Sequence, residues 1–275
     1  MIDLHTHTTA SDGRCTPAEL VARAAAAGVT VLSVTDHDTL AACEAVGVAC
    51  RAAGIEFVAG IEVTAVREEA DVHVLGYFVD PESPALRTFL IEQRQNRIER
   101  VRRMVARLVQ AGLRLDADAI LRPAIEDPSK SVGRPWIARA LVAAGDVKSP
   151  NEAFALWLSR GRPGFVAREG AAPDEVIARI HEAGGIASLA HPGLLKRDSW
   201  IAGFAGAGLD ALEAHHTEHD AATIVRYRAM ADQFAVVVSG GSDYHADESH
   251  GAPHPGSMAL PPEDYARLQA RRKTG

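Results

Sequence analysis

The 275-residue sequence contains only three cysteines, Cys15, Cys43 and Cys50. Three thiols cannot build a disulfide framework, and their spacing matches no zinc motif. No uninterrupted apolar run approaches the roughly 18 residues a membrane span needs. The opening residues Met1-Ile2-Asp3-Leu4-His5 lack a basic stretch followed by an apolar one, so no secretory leader is read there and a cytoplasmic location is expected. Positive charge is in deficit as well, with 29 Lys and Arg against 36 Asp and Glu and a net of −7. That balance argues against a protein that coats nucleic acid non-specifically. Lysine is scarce, at Lys130, Lys148, Lys196 and Lys273 alone. Internal repeats and low-complexity segments are lacking, and nothing points to an obligate protein partner. What remains is an ordinary globular composition, 47% apolar and 24% charged, in a chain long enough for a large core. The 12 histidines call for an explanation.

Charge is unevenly distributed. Residues 91–165 hold 14 Lys and Arg against 8 Asp and Glu, a net of +6, while the rest of the chain carries −13. In this basic block Ile98, Val101, Val105 and Leu108 recur at helical spacing. Arg94, Arg97, Arg100 and Arg103 fill the other faces, as on a solvated helix, and Gly112 is expected to end it.

Outside the block, strands and helices alternate. Short apolar runs predict strands at Met1–Leu4, Val29–Val34, Glu56–Val63, Val72–Phe78, Ile186–Ala190, Leu209–Glu213 and Ala235–Ser239. Thr16-Pro17-Ala18-Glu19 is a capping box with proline at the first helical position, closed by Gly28. A second helix is expected over Leu40–Ala53 with Thr39 as its cap, and another over Pro173–Ala183. Repeated βα units imply a parallel sheet, and about seven strands imply a closed or nearly closed barrel, an α/β fold. Residues 84–165 break the rhythm. They are read as a helical insertion between barrel segments 1–83 and 166–275, with helices at 92–111, near 116–121, at Arg134–Ala144 and from Ser149-Pro150.

Histidines and acids gather where strands end. His5, His7 and Asp12 follow the first strand, and Asp36-His37-Asp38 the second. Glu62 lies near the end of the third, His191 after the fifth, and Asp243 and His245 after the seventh. His73 stands at the start of the fourth, an awkward position for a shared face. In a βα barrel the strand ends open onto one face, where active sites form. Imidazole plus carboxylate suits zinc, iron or manganese, and the six histidines with Asp12, Glu62 and Asp243, nine groups, exceed what one ion takes. His5 and His7, two apart, can present both rings to one ion. His181, His250 and His254 lack this placement. His215, His216 and His219 follow the sixth strand, as a solvated loop or as neighbours of the site.

His5-x-His7 with Asp12, Asp36-His37-Asp38, Glu62, His73, His191-Pro192 and Ser242-Asp243-x-His245 resemble, in order and residue type, the motifs of the PHP (polymerase and histidinol phosphatase) family. The resemblance implies a distorted seven-stranded (β/α) barrel with three metals. One would be held by His5, His7, Glu62 and Asp243. A second would be held by Glu62, His73 and His191, with Glu62 bridging, and a third by Asp12, His37 and His245. Ser131-Val132-Gly133-Arg134-Pro135 resembles the branch of small phosphoesterases that act on nucleoside 3′,5′-bisphosphates, which implies removal of the 3′-phosphate and 5′-to-3′ trimming of short 5′-phosphorylated RNA. Members of that branch carry histidine after Gly-Arg-Pro, where this chain has Trp136.

Chemistry alone leads towards phosphoryl transfer. Clustered divalent ions, manganese first with iron or zinc as alternatives, lower the pKa of a bridging water and neutralise a phosphate as hydroxide attacks it in line. Asp38 or a histidine near the third metal is the expected proton donor. Arg134 at a predicted helix N-terminus suits an anion, with Lys130 adjacent and Ser131 able to cap that helix or donate to the same oxygen. Arg197 follows His191-Pro192-Gly193, and the resemblance implies a phosphate role for it. Together they predict an insertion that forms a lid over a small phosphorylated nucleotide. An amidohydrolase or deaminase also opens with His-x-His. Many hold two ions through a carboxylated lysine ending a strand, and no lysine here is predicted at such a place. A phosphatase of a non-nucleotide monoester is a further alternative. A polymerase-associated exonuclease lacks its polymerase region, and a non-catalytic metal module would lack the third ligand set.

Overall fold

Seven short strands carry the apolar runs, and helices between them cover the outside. The structure, a computed structural model, describes residues 1–247 and 251–272, so His250 and Lys273 lie outside the described residues. β1 (Ile2–Asp3) leads through α1 (Pro17–Ala26) to β2 (Val31–Val34), and α2 (Cys43–Ala53) leads to β3 (Glu56–Arg67). The capping box of α1 forms as its sequence dictates, with Thr16 and Glu19 each accepting from the other's backbone N–H. Thr39 does not cap α2, which starts at Cys43. Its hydroxyl instead donates to Ser129 O at 2.6 Å, tying the β2–α2 loop to the middle of the chain.

β4 (Ala70–Tyr77) corrects the expectation of an all-parallel sheet. It runs antiparallel to both β3 and β5 (Ile186–Leu189), while the other strand pairs are parallel. The cause is a tight hairpin. β3 runs past Val63 to Arg67, and Glu68 and Glu69, both at positive φ, turn the chain straight into β4. The reversal resolves the position of His73. The beginning of an antiparallel strand lies at the end of its neighbours, and His73 pairs with Thr64, two residues beyond Glu62.

After β4 come α3 (Pro84–Gln110), α4 (Ala117–Glu126), α5 (Arg134–Ala143) and α6 (Pro150–Ala153), which continues into a π-helical turn. α3 begins eight residues earlier than its periodicity indicated, because Ser83 caps it and Pro84 opens it. Leu86, Phe89 and Leu90 of α3 join the barrel core, whereas Val101, Met104, Val105 and Leu108 join a separate cluster with Leu121, Ile137, Leu141 and Leu158. One helix thus roots in the barrel and supports a second core. α7 (Pro173–Glu182) returns to β5. α8 (Pro192–Leu195) and α9 (Ile201–Gly206) lead to β6 (Ala211–His215), α10 (Ala221–Gln233) to β7 (Val237–Gly240), and α11 (Pro262–Ala270) follows. Among the described residues no helix is long and apolar enough to cross a membrane.

The strands lie in chain order, β1 to β7. The circle is nearly closed by backbone bonds between its ends, Asp243 N to His5 O at 2.8 Å and His7 N to Tyr244 O at 2.9 Å. Buried Asp3 fastens this seam, accepting from Ser242 N (2.8 Å), Ser242 Oγ (2.7 Å) and Gly256 N (2.6 Å). Gly241 lets the strands meet, since a Cβ there would lie 2.3 Å from His5 N. Gly241→Ala is therefore expected to lower unfolding free energy in urea by about 1–3 kcal/mol, the usual cost of overpacking. Gly206→Ala, with nothing within 4 Å of the added carbon, should lower it not at all. Equal urea midpoints for the two variants would mean that the seam has slack.

Candidate metal centre

β1 delivers His5 and His7 to the open face of the barrel, and β3 delivers Glu62, around which the site is arranged. Five imidazoles surround this buried carboxylate. His73 Nδ1 and His191 Nε2 lie 2.7 and 3.1 Å from Oε1. His7 Nε2, His37 Nδ1 and His5 Nε2 lie 3.2, 3.2 and 3.3 Å from Oε2. Asp243 Oδ1 is 3.2 Å from both His5 Nε2 and His7 Nε2. Asp12 Oδ1 stands 3.2 Å from His245 Nε2, and its Oδ2 3.7 Å from His37 Nε2. All nine histidines and acids singled out from sequence thus meet on one face.

Their donor atoms form overlapping groups, each within 4.8 Å: His5, His7, Glu62 and Asp243; His7, Asp12, His37 and His245; and His37, Glu62 and His73. His37 stands in the group with Glu62 and His73 where the family pattern has His191. His191 joins through its contact with Glu62 and an edge-on ring contact with His73 at 5.2 Å. The donor set fits divalent cations. His7 Nε2 and His37 Nδ1 approach Glu62 without hydrogen-bond alignment, so shared cations suit the arrangement better than a proton network does.

Without cations the electrostatics are polarised. Burial opposes charge on His7, yet Asp243 and Glu62 outweigh it and raise its pKa to about 10. Burial likewise opposes charge on His5, which Glu213, Asp243 and Glu62 push well above the ordinary value. His37 moves the other way, lowered by burial despite Glu62 and Asp12. Burial works against the Glu62 carboxylate, but His37, His73 and His5 hold it well below the usual range. A metal bound here would displace protons from His5 and His7 and none from Glu62.

Two more residues complete the cluster, Glu213, not identified from sequence, and His216, read there as either loop or neighbour of the site. Glu213 of β6 accepts from His5 Nδ1 at 2.8 Å and from His191 N at 2.7 Å. Holding Nδ1–H leaves His5 Nε2 for a metal, and the grip on His191 maintains that residue at φ 27°. Glu213 ends the strand expected from sequence over Leu209–Glu213, so its position was the available signal. His216 is buried, 3.4 Å from Asp243 Oδ2, and forms another candidate ligand group with His5 and Glu213. These three histidines thus form no solvated loop: His215 ends β6 against Arg228 and Asp264, and His219 accepts from Gly193 N. His181 pairs with Asp210, away from the cluster.

The cations differ from their expected places. Arg97 and Arg100 are buried, not spread on a solvated face. Arg97 binds Asp38 and donates to Thr64 Oγ1 at 2.8 Å and Val132 O at 3.2 Å. Asp38 also accepts from Thr64 N, so both its oxygens serve as acceptors and it is no proton donor in this arrangement. Arg134 opens α5 as predicted, but its Nη2 lies 3.1 Å from Asp71, which Arg100 and Arg168 also approach at 3.5 and 3.4 Å. Burial, then the charge of Arg97, lowers the Arg168 pKa to about 9. Ser131 does not cap α5, whose cap is Gly133; its hydroxyl is buried without a partner. Lys130 engages through its backbone, accepting from Arg94. Arg197 is exposed, lies over the Trp200 ring at 5.7 Å and donates to Lys196 O at 3.1 Å. Trp136 lies over the Asp12 loop, donating Nε1–H to Ser11 O at 3.1 Å. Among the described residues no lysine stands in or at the end of a strand, so the carboxylated-lysine arrangement is not formed.

Comparison with known proteins agrees with this geometry. Residues 3–132 match the PHP domain model. The 3′,5′-nucleoside bisphosphate phosphatase of Chromobacterium violaceum is 35% identical over 268 residues, 95% of this chain and 93% of that protein. The 5′-3′ exoribonuclease Rnm of Salmonella typhimurium is 35% identical over 250 residues, 88% of this chain and 84% of the relative. The crystal structure of a candidate metal-dependent phosphoesterase from Bifidobacterium adolescentis superposes with a TM-score of 0.88 at 32% identity, covering 98% of this chain and 96% of that one. Likeness of this extent, together with the histidine-ringed carboxylate, shows that the chain belongs to the PHP family of metal-dependent phosphoesterases.

Proposed function

We propose that this enzyme removes the 3′-phosphate from nucleoside 3′,5′-bisphosphates, and that the same site trims short 5′-phosphorylated RNA from its 5′ end. The observation that carries the reading is a pair of neighbouring sites. Beside the metal-ligand cluster, four guanidiniums, Arg97, Arg100, Arg134 and Arg168, surround only two carboxylates, Asp38 and Asp71. Asp71 and His73 alternate along β4, about 7 Å apart on one face. A buried excess of positive charge at that distance supports a second phosphate. The relatives named as bisphosphate phosphatase and exoribonuclease support the same class.

In this reading His5, His7, Asp12, His37, Glu62, His73, His191, Asp243 and His245 hold two to three divalent ions, manganese first and iron or zinc as alternatives. Such ions supply an acidified water and neutralise the phosphoryl oxygens. Glu213 keeps His5 and His191 oriented. Arg134 and Arg168 grip the phosphate that is not cleaved, with Ser131 and Lys130 beside them, and Arg197 is the remaining cation at the rim. The segment 84–165 serves as the lid that brings Arg134 and Arg97 over the barrel.

With manganese, phosphate release should be fastest from 3′,5′-bisphosphates, slower from simple monophosphates, and accompanied by mononucleotide release from short 5′-phosphorylated RNA. Release from none of these, alongside amide or amine hydrolysis, would favour the amidohydrolase alternative. Arg134→Ala and Arg168→Ala should each raise KM for bisphosphates about tenfold or more, the worth of a charge-assisted hydrogen bond, with a smaller effect on monophosphates. Equal losses on both substrates would remove these arginines from recognition of the second phosphate. Raised imidazole pKa values make protons competitors of the metal. Manganese affinity should therefore fall from about pH 8 to about pH 6, with proton release on binding. An affinity flat across that window, with no protons released, would contradict the assignment of these histidines.

A further inference from the structure

We infer that Trp136 and Arg139 of α5 are positioning residues that set the third metal site by holding the loop that carries Asp12. This rests on the metal reading above. The other ligands sit on strands or within five residues of a strand end, whereas Asp12 lies nine residues past β1, far along the loop to α1. From the barrel side Asp36 secures that loop, accepting from Thr8 N at 2.8 Å, Thr8 Oγ1 at 2.6 Å and Ser11 Oγ at 2.6 Å. Gly13 packs so tightly that a Cβ would lie 2.5 Å from His7 O.

The outer side of the loop belongs to the segment after β4. Three consecutive carbonyls each receive a donor from it. Ser131 N donates to Ala10 O at 2.8 Å, Trp136 Nε1 to Ser11 O at 3.1 Å, and Arg139 Nη1 to Asp12 O at 3.1 Å. Trp136 and Arg139 are one helical turn apart, so α5 presents both donors from one face, with the guanidinium 5.9 Å from the indole centroid. Carbonyls in such a part-buried loop need partners, and here they come from outside the barrel. The consequence is selective. Docking of α5 sets where Asp12 stands relative to His37 and His245, whereas the groups around Glu62 keep their geometry from the strands.

Manganese titration of metal-free protein, with unbound ion counted by its paramagnetic resonance signal, tests this directly. Wild type should take up three equivalents. Trp136→Phe with Arg139→Met should bind two as wild type does and the third about tenfold or more weakly, the usual cost of losing an outer-shell partner. Arg139→Lys, which retains a donor, should restore much of the third when combined with native Trp136. Unchanged loading of all three ions in the double variant would overturn the inference and leave the metal assignment standing. A uniform loss of all three would also overturn it, as damage to the whole site. Wild-type protein that takes up no third ion would overturn the third-site assignment itself, and this inference with it.

Discussion

A carboxylate buried among five imidazoles imposes the constraint on which the rest of this structure depends. Glu62 lies within 3.3 Å of nitrogens from His5, His7, His37, His73 and His191, which arrive from four separate parts of the chain. Such a group is costly to bury unless charge of the opposite sign compensates it. Protons on His5 and His7 supply part of that compensation, and divalent cations would supply it as well. The barrel is the device that brings the five histidines to one point, because its strand ends share a face.

Holding them there strains the backbone locally. His191 and Asp243 adopt positive φ at the ends of β5 and β7, and Asp38 does so after β2. Aspartate and histidine tolerate that region better than bulkier residues, and partners offset the cost. Glu213 holds His191, the β1–β7 seam holds Asp243, and Arg97 with Thr64 holds Asp38. The chain's net charge of −7 is a poor guide to what enters such a site. The carboxylates are consumed by imidazoles and arginines, and a surplus of guanidinium stands beside them.

Much of this was legible in the sequence because the histidines and acids of the cluster recur at strand ends along the chain. The seven strands, the α1 capping box and the helical run after residue 84 could be read from periodicity and caps. The direction of β4 could not. Its hairpin turns on Glu68-Glu69, which lacks the glycine or asparagine that signals such a turn, so His73 looked misplaced until the strand reversed. Arg97 and Arg100 were indistinguishable from solvated arginines, since helical spacing shows which residues share a face but not what packs against it. Asp71 and Arg168 meet only through tertiary contact, 97 residues apart in sequence. Thr39 and Ser131 read as helix caps, and each serves a contact between distant segments instead.

The central claim is that Glu62 and its histidines hold a cluster of divalent ions. Anomalous diffraction from crystals of the protein soaked in manganese addresses it most directly. The account predicts three peaks on the open face of the barrel: two bonded to Glu62, and one bonded to Asp12, His37 and His245. Peaks elsewhere, or none within bonding distance of Glu62, would contradict it.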